Sequence, residues 1–118
     1  MRAELLARKV RSELLVALNE RLLTWPETLH VHPRLAKQLE RRREAMGEGG
    51  GIDWGHAESL AFASLLVDGV DVRLTGQDTE RGTFSHRHSV LYDVENGTSW
   101  TPLQHLPNAA ARFEVWNS

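Results

Sequence analysis

"AESLAFASLLVDGVDVRLT", residues 57–75, changes its period halfway along. Its first eleven residues are small, apolar and helix-forming, whereas Val70, Val72 and Leu74 then alternate with Asp71, Arg73 and Thr75. A run without strict alternation followed by a two-residue period predicts a helix and then a strand. Gly69 stands where a helix closes on a left-handed residue. Asp53, shortly before the run, is a natural N-cap. Because the helix is apolar around most of its circumference, it is expected to be largely buried.

Outward from this unit, a second strand is predicted over "RFEVW" (112–116). Between the two strands, "TFSHRHSVLYDV" and "TSWTPL" flank Asn96-Gly97, a strong signal for a tight hairpin. Helix, strand, excursion and strand are the beginning of an open α/β layer. Upstream, Leu5, Leu6, Val10, Leu14, Leu15, Leu18 and Leu22 recur at three- and four-residue spacing, which predicts an amphipathic helix from about 3 to 23. Pro26 ends it. Pro33 opens a second helix, "RLAKQLERRREAM", along a thin stripe of Leu35, Leu39 and Met46. "GEGGG" (47–51) breaks the pattern and reads as a flexible connector. The expected organisation is a helical connecting segment (1–46), a Gly-rich linker (47–51) and an α/β segment (52–118). Only two parallel strands and one good covering helix are expected, so the layered core looks incomplete.

Length and composition exclude several classes. A chain of 118 residues is one domain in size, and 41% apolar with 25% charged residues describes a folded rather than a disordered chain. No cysteine is present, so disulfide scaffolds and thiolate metal sites are excluded. No apolar run approaches a membrane span, and the charged N-terminus lacks a signal-peptide core; a cytoplasmic protein is expected. Residues 1–46 carry ten Lys/Arg against six Glu, and residues 47–118 carry four Arg against ten acidic residues. Arg41-Arg42-Arg43 has no interleaved aromatic residues and is flanked by Glu40 and Glu44. It reads as the solvated face of a helix and not as a nucleic-acid patch.

The chemistry-bearing residues concentrate in "RLTGQDTERGTFSHRHSVL" (73–91), at the exit of the first strand. Open α/β sheets bind ligands at the carboxyl ends of their strands. Gly76 and Gly82 permit a sharp exit and return. Gln77 and Asp78 offer an amide and a carboxylate, and Arg81 offers a bidentate cation. On extended backbone His86 and His88 would share a face, with Arg87 opposite. Spacing alone also describes an Asp78–Arg81 loop ion pair. His86-x-His88 and His30-x-His32 each lack an evident third ligand, so neither is assigned a metal. There is no GxxxxGK[ST] phosphate loop.

Four blocks carry a resemblance further: "GIDWGHAESLAFASLL", "RLTGQDTERGTFSHRHSVLYD", "WTPLQHL" and "ARFEVWNS". In this order and spacing they resemble the thiamine-diphosphate-dependent decarboxylating component of 2-oxoglutarate dehydrogenases. "LHVHPRLAKQLERRREAM" is more weakly similar to the segment just upstream in that family. The resemblance implies that residues 52–118 open a transketolase-like pyrimidine-binding domain and that residues 1–46 follow the diphosphate-binding domain. It also implies thiamine diphosphate and magnesium in the intact enzyme. The remainder of the subunit, a homodimer mate and a lipoyl-bearing succinyltransferase are the implied partners.

Within that family Gln77, Asp78, Arg81, His86 and His88 become a candidate cofactor-pocket or dimer-contact loop. The family's magnesium motif lies upstream of the matching blocks, and its activating glutamate and a later active-site histidine lie downstream. Glu114, inside a strand, does not match that glutamate. The chain is therefore expected to be a piece of the enzyme that binds no cofactor and catalyses nothing alone. The alternative is a stand-alone interaction module built on the same scaffold. A metal-binding protein using the His pairs is a third, distinguishable by zinc or nickel retained on dialysis.

Overall fold

A computed structural model describes residues 3–47, 50–76, 88–107, 109 and 111–117. Three helices come first: α1 (Ala3–Leu22), α2 (Pro33–Glu44) and α3 (Trp54–Val67). Strand β1 (Val72–Gly76) follows, then a short hairpin of β2 (Leu91–Tyr92) and β3 (Ser99–Trp100), a 3-10 turn (Pro102–Gln104) and β4 (Phe113–Asn117). The expected α/β class is the observed one.

Local chemistry explains the boundaries. α1 stops where Thr24 turns its hydroxyl back to the Glu20 carbonyl at 2.7 Å, with Pro26 just beyond. Pro33 occupies the first turn of α2, and the His32 imidazole Nδ1 accepts the Arg34 N–H at 3.1 Å as its cap. The Asp53 carboxylate accepts the His56 N–H at 2.7 Å at the start of α3. At the other end, Gly69 has φ +87°, donates to Leu66 O at 3.1 Å, and lets Val70 donate to Leu65 O at 2.9 Å. These two bonds are the Schellman pattern, which needs a residue comfortable in the left-handed region.

β1 and β4 pair in parallel, with Val72 opposite Phe113 and Leu74 opposite Val115. Those four side chains face one cluster with Leu18 of α1, Ala63 and Leu66 of α3, Leu103 and Leu106. The alternate residues Arg73 and Glu114 point away, their charged groups 3.7 Å apart. A second cluster joins Leu23, Leu29 and Leu39 of the helical half to Leu91 of the hairpin, with Trp25 and Trp100 against it. Both clusters thus draw on residues from either side of the 47–51 stretch.

One expectation needs correction. α3 is buried on one face only: Gly55, His56, Ser59, Leu60, Ala63 and Leu66 are covered, while Trp54, Ala57, Ala61 and Leu65 are exposed. Composition could not separate the faces because both are apolar. The hairpin expected around Asn96-Gly97 is present, with Leu91 opposite Trp100 and Tyr92 opposite Ser99. The strands are two residues each, and the loop closes one step further out, where Asp93 N–H donates to Thr98 O at 2.7 Å. The Asp93 carboxylate captures the N–H groups of Glu95 (2.8 Å) and Asn96 (3.2 Å). That side-chain turn outcompetes the tighter backbone one.

Candidate functional site

The strand exit behaves as its sequence suggests up to its last described residue. Gly76 ends β1 with φ +138°, a conformation open to glycine and strained for other residues. Gln77, Asp78, Arg81 and His86 lie outside the described residues, as does Gly82. His88, on the return, is described. It takes a left-handed φ of +48° and lines a small cavity with Asn19, His56, Ser59 and Ser89. About 20 Å³ is room for roughly one water molecule. Of the five candidate loop residues, the structure therefore places one, and it places it against side chains that the sequence reading passed over.

Those side chains form a buried polar junction among the three helices. His56 is 1% exposed and Asn19 is 2% exposed. Asn19 Nδ2 donates to the Arg42 carbonyl in the last turn of α2 at 3.1 Å, which fixes the orientation of the amide. Its Oδ1 then faces His56 Nε2 at 2.6 Å, so Nε2 carries the proton and donates. Nδ1 of the neutral ring keeps its lone pair, buried without a hydrogen-bond partner among the described residues. Burial is the main cause holding the His56 pKa below the usual histidine value; Arg42 adds to the effect and Asp53 opposes it. A neutral imidazole with an unused acceptor follows. The sequence signal was available: Asn19 sits in register with Leu15 and Leu23, and His56 with Leu60 and Ala63, as polar residues on apolar stripes.

His56 also lines a wider cleft of about 450 Å³, with Arg34, Lys37, Arg41, Arg42 and Asp53 around it. This revises the reading of Arg41-Arg42-Arg43 as one solvated face. Burial lowers the Arg42 pKa, with Asp53 opposing. Arg43 Nε meets Glu20 of α1 at 2.7 Å and its Nη1 meets Glu40, and these carboxylates raise the Arg43 pKa further. The tri-arginine run thus pins α2 to α1 on one side and borders a cationic cleft on the other.

A second polar cluster joins the α1–α2 connection to the hairpin. The backbone N–H of His30 donates to Asp93 Oδ2 at 2.8 Å, and Val94 N–H returns to the His30 carbonyl at 2.9 Å. His30 Nδ1 lies 3.1 Å from Asp93 Oδ2 and 3.2 Å from Glu95 Oε2. Asp93 is buried, and the N–H groups of His30, Glu95 and Asn96 hold its carboxyl below the usual range against the opposing effect of desolvation. The His30-x-His32 pair therefore does not act as a pair: His32 caps α2, while His30 faces carboxylates from a hairpin 63 residues away.

Comparison with known proteins gives this geometry a context. Residues 50–118 match the family described as "Transketolase, pyrimidine binding domain". The chain is 58% identical over 109 residues to a 2-oxoglutarate dehydrogenase E1 component of an Exiguobacterium strain, covering 92% of this chain and 12% of that protein. It is 59% identical over 102 residues to the protein of the same name from Staphylococcus haemolyticus, covering 86% of this chain and 11% of that one. The Bacillus mycoides protein of that name is 54% identical over 109 residues. The chain spans only about an eighth of the length of these relatives.

Proposed function

We propose that this chain, which belongs to the transketolase pyrimidine-binding domain family, serves as one segment of a thiamine-diphosphate-dependent 2-oxoglutarate dehydrogenase E1 subunit. The observation that carries the reading is the 58% identity across 92% of the chain. In that role the segment supplies scaffold and a loop, and the rest of the subunit supplies the remaining chemistry. The Schellman turn at Gly69 and the parallel β1–β4 pair fix where the chain leaves β1. The loop carrying Gln77, Asp78, Arg81, His86 and His88 then contributes to the cofactor pocket or to the contact with a second subunit. A homodimer mate, a lipoyl-bearing succinyltransferase and a cytoplasmic location complete the proposal. No described helix is long and apolar enough to cross a membrane.

Thiamine diphosphate, when bound, supplies the carbanion-stabilising chemistry that decarboxylation of a 2-oxo acid needs. Among the described residues, the one grouped set of cation ligands does not suit the magnesium ion that accompanies it. That set, three imidazole and carboxylate ligands within reach of a single ion, is His30, Asp93 and Glu95. Magnesium favours an octahedral shell of oxygens and retains several waters, which a set containing imidazole suits poorly. Catalysis by the chain alone is accordingly not part of the proposal.

A segment exchange tests it. The corresponding residues of the Exiguobacterium E1 protein are replaced by this chain, and thiamine-diphosphate-dependent release of carbon dioxide from 2-oxoglutarate is measured. Retained turnover in the chimera, with none from the 118-residue chain by itself, is the expected result. A chimera that folds and binds the cofactor but does not turn over 2-oxoglutarate overturns the reading.

A further inference from the structure

We propose that His30, Asp93 and Glu95 form a binding site for a divalent transition-metal cation of the zinc class. The three ligand atoms lie within 4.8 Å of one another. His30 Nδ1 stands 3.1 Å from Asp93 Oδ2 and 3.2 Å from Glu95 Oε2. Tetrahedral zinc with bonds of about 2.0–2.2 Å to nitrogen and oxygen separates its ligands by roughly 3.3–3.6 Å. The two separations from His30 Nδ1 are close to that edge, and the separation between the two carboxylate oxygens, within 4.8 Å, is set by the position of the exposed Glu95 side chain. One imidazole with two carboxylates is a donor set for zinc and its neighbours in the transition series.

The Asp93 carboxylate and the backbone of His30 are positioned by bonds that do not depend on the cation. Asp93 Oδ1 accepts from the backbone of Glu95 and Asn96, leaving Oδ2 aimed at His30. His30 is held by its own N–H to Asp93 Oδ2 and by its carbonyl, which accepts from Val94. Outer bonds of this kind orient a metal's ligands and limit what binding must order. The Asp93 side chain is fully buried, whereas Glu95 is 68% exposed. A fixed, buried Asp93 and a backbone-anchored His30, its ring 53% exposed, are thus closed by one adjustable carboxylate, with a fourth position open to water. The site lies between the α1–α2 connection and the hairpin, so a bound ion would tie the helical half to the α/β half.

The test is titration of the chelator-stripped 118-residue chain with zinc chloride, followed by calorimetry and by thermal melting. One equivalent of zinc should bind and raise the melting temperature, while magnesium chloride should do neither. His30→Ala and Glu95→Ala should each weaken zinc binding by roughly 100-fold, at or beyond the loss seen when only a supporting partner is removed. His32→Ala should leave it unchanged. Glu95→Ala removes an exposed side chain whose backbone N–H, not its carboxylate, supports the hairpin. Its zinc-free melting should therefore match that of the parent chain and keep the test valid where His30→Ala unfolds. Absence of zinc binding, binding that survives Glu95→Ala, or loss of binding in His32→Ala overturns the assignment.

Discussion

His56 Nε2 lies 2.6 Å from Asn19 Oδ1, a hydrogen bond between helices whose partners are 37 residues apart and both shielded from water. The same amide donates to the Arg42 carbonyl, so one side chain of α1 satisfies polar groups of α2 and α3 together. Buried polar groups are costly when left without partners, and here a single residue removes two such costs. Asn19→Ala should lower stability by about 1–3 kcal/mol, because it strands a donor and an acceptor in the interior. Asn19→Asp restores an acceptor for His56 and not the donor to Arg42, and should recover only part of the loss. Chemical denaturation of the three proteins at one pH checks the order.

The same histidine predicts an acid limb. Its folded pKa lies below the ordinary value of 6.5, so the unfolded chain takes up a proton more readily than the folded one. Stability from this group is complete above that value and declines as pH falls through it towards the folded pKa. His56→Leu removes the titrating group, so the stability difference between parent and variant should shrink as pH drops from about 7.5 to 5, beginning near the ordinary value. A difference that stays constant across that range would falsify the assignment of a neutral buried His56.

Gly69 sets the exit from α3. Its φ of +87° imposes the strain, since a Cβ placed there meets nothing within 4 Å. Gly69→Ala should therefore cost about 1–2 kcal/mol from backbone conformation alone. Gly69→Asn, which tolerates the left-handed region better, should cost less than alanine. Melting of the two variants against the parent gives the comparison. Equal losses for Ala and Asn would point to a packing role that the geometry does not show.

Limited proteolysis addresses the 47–51 stretch. Gly50 and Gly51 are exposed, with φ of +66° and +105°, and no atom crowds either position. We expect the first cut there. The cut should not release two independent pieces, because Leu18 packs with Leu66 and Phe113 while Leu39 packs with Leu91. The nicked chain should elute as one species under native conditions and separate only in denaturant. Separation without denaturant would show that the two segments are independent domains.

How much of this was legible depended on whether a signal was local. Helix ends were readable because Asp53, Pro33 and Gly69 act through bonds made within a few residues. The parallel pairing of Val72 with Phe113 was foreshadowed by two alternating segments, each with its own period. Asn19 and His56 stood out as polar residues on apolar stripes, but the partners in the His56–Asn19–Arg42 junction and the His30–Asp93–Glu95 cluster were not legible, since only the tertiary fold brings them together. The hairpin itself was legible, and only its turn geometry was not. Asn96-Gly97 is a genuine turn signal, but Asp93 offered the backbone a competing side-chain acceptor. For α3, apolarity on both faces hid which one the chain covers.

The loop after β1 yields the last prediction, and it separates a structural from a functional role. Gly76 directs the chain off the strand, and His88 receives it beside Asn19 and His56. In the proposed E1 subunit, Gln77, Asp78, Arg81 and His86 act on the cofactor pocket or on the second subunit, not on the stability of this segment. On that reading, Asp78→Ala and His86→Ala should shift the melting of the 118-residue chain very little, within about 0.5 kcal/mol. Introduced into the segment-exchanged E1 protein, the same changes should lower kcat/KM by roughly tenfold or more, equivalent to ~1.4 kcal/mol of transition-state stabilisation. His88→Ala should behave differently. It removes a side chain from the cavity shared with His56 but relieves none of the left-handed strain at a φ of +48°, so it should destabilise the isolated chain as well as the enzyme. Melting of the chain and turnover of the exchanged enzyme, measured variant by variant, decide the matter. Strong destabilisation by Asp78→Ala and His86→Ala with turnover unchanged would make the loop a structural brace and remove it from the proposed site.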